Sequence, residues 1–202
     1  MQTRRVPLGS RGFFLIMPGT WAQIPLEDEQ AMAKRISALV KQQMGSNDRL
    51  AARRRTFRDE LTTAATAAAE SGAISFSIAL ELLVGVPFSG AMVASEIEWP
   101  PTAVDQQDHP QRLSAAFPGA TVLHTEAGPV ARRATSGVQR YVEEQTPSLD
   151  LDYWIPNPTA DSLILINVSL PMVSPDPEPF IELFDSIIDS FTWDPAAQPV
   201  AS

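Results

Sequence analysis

The last third of the chain constrains the fold more than any other segment. Two apolar strand patterns, L-D-L-D-Y-W-I-P over 149–156 and S-L-I-L-I-N-V-S-L over 162–170, lead through a Pro-rich break to P-F-I-E-L-F-D-S-I-I-D-S-F-T-W over 179–193. In the last run Phe180, Leu183, Phe184, Ile187, Ile188 and Phe191 recur at helical spacing. Such a stripe must cover something apolar, and the strands just before it supply a sheet. The 162–170 run is apolar on both faces, which places it centrally or under cover on both sides. None of this speaks to chemistry.

Upstream, Gly12–Met17 predicts a short strand ended by Pro18-Gly19, with Trp21 packing over the sheet edge. Met32, Ile36, Leu39, Val40 and Met44 then predict a helix over 27–44, opened by Glu27-Asp28-Glu29 at its positive end. Gly45 ends it, and Ser46-Asn47 offer a cap for a second helix to about Ser71, stopped by Gly72. Its face carries Leu50, Phe57, Leu61, Ala64, Ala65 and Ala68.

Strict alternation follows. Ile74, Phe76, Ile78, Leu80, Leu82 and Val84 take one face, and Ser75, Ser77, Ala79 and Glu81 the other, a half-buried strand. A turn at Pro87-Phe88-Ser89-Gly90 leads to a second strand over 91–99. A polar loop spans 100–109, Pro110 opens a short helix to Phe117, and three short strands are expected over 120–126, 130–135 and 138–143. The fold class expected is α+β, with a single antiparallel sheet of about six to eight strands flanked by helices. Residues 1–194 form one domain with a helix pair at 27–71, and 195–202 a flexible tail.

A chain of 202 residues without cysteine has no disulfide, thiolate metal site or cysteine nucleophile. Its net charge of −9 disfavours nucleic acid and anionic lipid as partners. The charge is unevenly spread: residues 1–60 hold 11 bases and 6 acids, while 61–202 hold 4 bases and 18 acids. The simplest account is internal, a basic layer packed beside an acidic remainder. The alternative is a basic surface for an acidic partner. Arg4-Arg5 precede only five apolar residues, too few for a secretory core, and the charge-free stretches are too short to span a bilayer. The chain reads as soluble and cytoplasmic.

The motif Y-W-I-P-N-P, followed by a strand and F-x-x-L-F-D-x-I-x-x-S-F-x-W, resembles the ending of small bacterial proteins of the PsbP-like superfamily. Phe14–Trp21 is similar to the F-x-L-P-x-x-W opening of that group, with one extra residue before the proline. The resemblance implies an α/β/α sandwich. It also implies a binding role, since the superfamily members with known roles mostly bind proteins or stabilise assemblies. It carries no catalytic residue onto this chain, and the helix pair at 27–71 departs from it.

Candidate chemistry is sparse. His124 and Glu126 share one strand face and are candidates for a metal or acid–base pair, against the plainer reading of a partly exposed strand histidine. Glu96 and Glu98 point the same way and are candidates for paired-carboxylate work, against a solvated row. Asp105, Asp108 and His109 cluster in a loop but lack any EF-hand or HExxH spacing. Arg49, Arg53, Arg54, Arg55 and Arg58 wrap around a helix instead of forming one phosphate-tracking stripe. Arg54 flanks the apolar stripe, where an ion pair is expected. No G-x-S-x-G, G-x-G-x-x-G or P-loop occurs.

The reading is a non-enzymatic protein-binding or accessory protein, with another protein as partner and Arg53, Arg55 and Arg58 as partner-binding candidates. A small-ligand-binding protein or enzyme, using a cleft on the sheet, is the alternative, with His124, Glu126, Glu96 and Glu98 as ligand candidates. A chaperone or immunity protein of a secretion or toxin system is a further alternative. No catalytic residue, metal or cofactor is assigned. An exposed apolar patch of several hundred Å² would favour the binding reading, and a deep cleft with converging polar groups would favour the ligand reading.

Overall fold

A computed structural model describes residues 3–45, 47–83, 86–103, 108–141, 144–172 and 176–194. The elements are β1 (Thr3–Leu8), β2 (Phe13–Pro18), β3 (Thr20–Ile24), α1 (Glu29–Met44), α2 (Ala51–Glu70), β4 (Ala73–Leu83), β5 (Val86–Ile97), α3 (His109–Ala116), β6 (Thr121–Thr125), β7 (Gly128–Tyr141), β8 (Glu144–Pro156), β9 (Leu163–Pro171), α4 (Glu178–Asp189) and β10 (Thr192–Trp193).

The architecture is α+β. Seven strands form one antiparallel sheet in the order β3-β4-β5-β9-β8-β7-β6. β1, β2 and β10 form a second, three-stranded antiparallel sheet, which the sequence reading did not anticipate. β9 enters late and fills the slot between β5 and β8. That explains its apolar character: Leu163, Ile164, Ile166, Val168 and Leu170 are all at most 1% exposed.

One face of the large sheet lies under α4 and the small sheet. Phe184, Ile187 and Ile188 of α4 and Leu8, Leu15 and Met17 of β1 and β2 pack on Tyr153, Ile155, Ile164 and Ile166. Each such large side chain contributes about 1.5–3 kcal/mol by burial. The stripe of α4 is the expected one, joined by Ile181, with Phe180 and Leu183 only partly buried.

Two helical covers share the opposite face. α1 and α2 place Ile36, Leu39, Leu61 and Ala65 over Ile24, Phe76 and Leu80 at the β3–β4 end. α3 and the turn before it place Leu113, Phe117 and Trp99 over Ala131, Trp154 and Leu163. Asp28 caps α1, its Oδ1 accepting from the N–H groups of Gln30 and Ala31. Gly45 and Gly72, at φ +63° and +76°, follow the ends of α1 and α2 in the left-handed region that favours glycine. Among the described residues no helix is long and apolar enough to cross a membrane.

Several local expectations are corrected. β4 is covered on both faces, since Ser77 and Ala79 are 0% and 3% exposed beneath the α4 layer. Pro87–Gly90 belong to β5, because the pairing of Leu83 with Val86 puts the reversal earlier. The expected strands 130–135 and 138–143 are one strand, β7, as far as Tyr141, with 142–143 outside the described residues; Ser136 and Gly137 pair in register with Leu149 and Ser148 instead of turning. Trp21 is a core residue, 3% exposed and edge-on to Phe184. The expected cap at Ser46, the loop residue Asp105 and the tail 195–202 lie outside the described residues.

Candidate functional site

Glu96 stands at the end of β5, beneath the turn joining β1 to β2. Its Oε1 accepts from Asn157 Nδ2 at 3.0 Å and Ser162 Oγ at 2.7 Å, and its Oε2 is ion-paired with Arg11. Asn157 is 7% exposed, and its Oδ1 accepts from the backbone N–H and the hydroxyl of Thr159. The cluster ties the β1–β2 turn to the 157–162 loop. Two adjoining hollows of about 670 and 330 Å³ flank Ser10 and Arg11. The side chains that would recognise a ligand beside Glu96 are bonded to one another, so Glu96 acts as a strut.

The other ligand candidates stand elsewhere. Glu98 is exposed, one residue past the end of β5. His124 is exposed on β6, and Glu126 is exposed in the two-residue turn after it, not on the strand face. The Glu126 backbone N–H donates to Asp189 Oδ1 at 3.2 Å. Three strands separate β5 from β6, which puts the two pairs about 19 Å apart at about 4.8 Å per strand. They share no cleft. His109 lies against Trp99 at 6.2 Å between ring centroids, and Asp108 precedes α3 without a side-chain cap bond. Among the described residues no three His, Asp or Glu side chains are grouped to hold a metal ion.

Two polar constellations escaped the sequence. Tyr153 donates to Asp185 Oδ1 at 2.8 Å, and Asp185 Oδ2 accepts from Arg132 Nη1 at 2.5 Å. Burial first, then the Asp185 charge, pushes the phenol above its ordinary range, so it remains a protonated donor. Arg112 lies 4.1 Å from the Trp99 ring centroid, donates to the Ala103 carbonyl, and forks onto the Asp161 carboxylate at 2.5 and 3.3 Å. Those hydrogen bonds hold the Asp161 carboxyl below its usual range. Both constellations tie elements together: α4 to the sheet, and α3 to the 157–162 loop. Their members are separated by tens of residues, so no local motif announces them.

Among the described residues, the edge of β7 is unpaired past Arg132. β6 covers only Gly128–Arg132, whereas β7 continues to Tyr141. Thr125 and Gly128 close the two-residue turn between β6 and β7, so Gly128, Val130 and Arg132 aim their backbone groups at β6. By the same alternation Ala134, Ser136 and Val138 aim theirs outward, past the end of β6, while Thr135 and Gly137 bond to β8. Residues 134–138 are all exposed, and Val138 is 64% exposed. No proline, charge or register shift guards this stretch, the usual protections of an edge.

The arginines of α2 are also open. Arg53, Arg55 and Arg58 are exposed, and none has a carboxylate partner among the described residues. Among the described residues no carboxylate forms the ion pair expected at Arg54: half-buried, it donates to the Asn47 carbonyl at 2.5 Å. Among the described residues the broad apolar patch that would favour binding does not occur either. Among the described residues the large exposed apolar side chains are Ile16 at 47% and Val138 at 64%, on separate sheets.

No protein-family model matches the chain, and no curated protein matches it. Among solved structures, the Ran-binding protein Mog1p of Saccharomyces cerevisiae aligns over 98% of this chain and 100% of its own, at 8% identity and a TM-score of 0.47. A likeness that slight carries no weight for function.

Proposed function

We propose that this chain is a non-enzymatic protein-binding or accessory protein, and that a partner adds an extended strand to the free edge of β7. One observation carries the reading: Ala134, Ser136 and Val138 present outward backbone groups on an uncharged, exposed stretch of β7. Such an edge is a template for another strand, with main-chain hydrogen bonds giving affinity. The PsbP-like resemblance of the closing motif agrees with a binding role. The ligand reading has less support, because its four candidates divide between two distant places and Glu96 is already bonded.

The test is affinity capture from the native host with quantitative mass spectrometry, followed by titration with the captured protein. Ser136→Pro deletes an outward N–H that no internal bond uses, and Val138→Lys adds an edge charge. His124→Ala, on β6, is the control. The reading expects a partner held by wild type and the control, and weakened about tenfold or more by either edge variant, the loss of roughly 1.4 kcal/mol. Equal binding by all four proteins contradicts it.

A further inference from the structure

We infer that the flank of α2 carrying Arg55 and Arg58 docks an acidic segment of a protein partner. The inference takes its class of partner from the protein-binding reading and does not depend on the β7 edge.

The argument begins with what these arginines fail to do. An internal role would pair them with the acidic remainder of the chain, where residues 61–202 hold 18 acids against 4 bases. Instead, Arg11, Arg112 and Arg132 are ion-paired with Glu96, Asp161 and Asp185. The helix itself neither requires nor forbids the cluster. A 3-10 turn, Asp48–Leu50, runs directly into α2, with Asn47 Oδ1 accepting from the Arg49 N–H and Asp48 at the positive end. The like charges Arg54 and Arg58 lie one turn apart, and so do the opposite charges Arg55 and Asp59. Arg55 and Arg58 are exposed and have no carboxylate partner among the described residues, so they are open to acids from outside the molecule.

The chemistry of that complement follows from the arrangement. At about 100° per residue, Arg55 and Arg58 lie about 60° apart on one flank, and Arg53 lies about 160° from Arg55. Asp59 and Glu60 follow directly. A nucleic acid favours an unbroken basic face, and acids within it repel phosphate. A few carboxylates on a protein segment match two guanidinium forks, each able to hold one carboxylate through paired hydrogen bonds.

The probes are a fluorescein-labelled deca-glutamate peptide and a labelled DNA oligonucleotide of equal charge, titrated by anisotropy at low and physiological salt. Arg55→Ala/Arg58→Ala is compared with Lys34→Ala/Lys41→Ala, which removes the same charge from the exposed face of α1. The inference expects salt-sensitive peptide binding, weakened at least tenfold by the arginine pair and less than threefold by the lysine pair. Ser136→Pro should bind the peptide like wild type, so the two proposed surfaces fail separately. Equal losses from both pairs, tighter binding of the DNA, or no peptide binding at low salt would each overturn it.

Discussion

The Tyr153 hydroxyl, deep in the sheet, donates to the Asp185 carboxylate of α4 at 2.8 Å. Arg132 reaches the same carboxylate from β7. One acid thus fastens the closing helix to two strands. Removing it leaves a buried phenol and a largely buried guanidinium unpaired. Asp185→Ala should cost about 3–5 kcal/mol, as for breaking a buried ion pair, and Tyr153→Phe about 1–2 kcal/mol. Urea denaturation checks both values.

The same contact sets an alkaline limit. The Tyr153 pKa is raised in the fold above its unfolded value of about 10. A raised acid binds its proton more tightly when folded. Its contribution is therefore complete below about pH 10 and declines as pH rises above that value. Stability of wild type should fall more steeply than that of Tyr153→Phe above pH 10, and the two pH profiles should run parallel below pH 9. Thermal melts across pH 7–11 test this; parallel profiles throughout would deny the linkage.

Glu96 is predicted to be structural. Glu96→Ala strips acceptors from Asn157, Ser162 and Arg11 at once and should lower stability by about 2–4 kcal/mol, while partner binding by the folded protein stays unchanged. Loss of binding by a variant that is folded at the assay temperature would return Glu96 to the list of ligand candidates.

Gly9 sits at φ +65°, and a Cβ there would lie 2.3 Å from the Ile74 carbonyl oxygen. Both the backbone conformation and the close approach demand glycine. Gly9→Ala should cost about 1–3 kcal/mol and loosen the β1–β2 turn from the start of β4. A melting temperature equal to wild type would contradict that packing.

These contacts show why part of the fold was legible and part was not. Periodicity reports which side chains share a face, so the stripe of α4 and the two-sided burial of β9 could be read directly. Capping chemistry located both ends of α1, within two residues at its start. Periodicity does not report what lies on the second face. Ser77 and Ala79 look like wet positions because they are small, yet they are buried where α4 and the small sheet press on β4. Ser136-Gly137 looks like a turn because turns favour those residues, but an exposed edge tolerates them too. β1 carries a proline and two arginines in six residues and shows no alternation until β2 pairs with it. The order of strands was also hidden, and that order separates Glu96 from His124 and, among the described residues, leaves β7 past Arg132 paired on one side only. The α2 arginines were visible in the sequence; that Arg53, Arg55 and Arg58 have no carboxylate partner among the described residues was not.

The most direct test of the account is residue-resolved amide hydrogen exchange on the free protein and on its complex with the captured partner. In the free protein the account predicts fast exchange at Ala134, Ser136 and Val138 and slow exchange at Thr135 and Gly137, which bond to β8. On binding, the three fast amides should become protected, with no change along β6. Slow exchange at Ser136 in the free protein, or protection that appears elsewhere and leaves these three amides fast, would contradict a docking edge on β7.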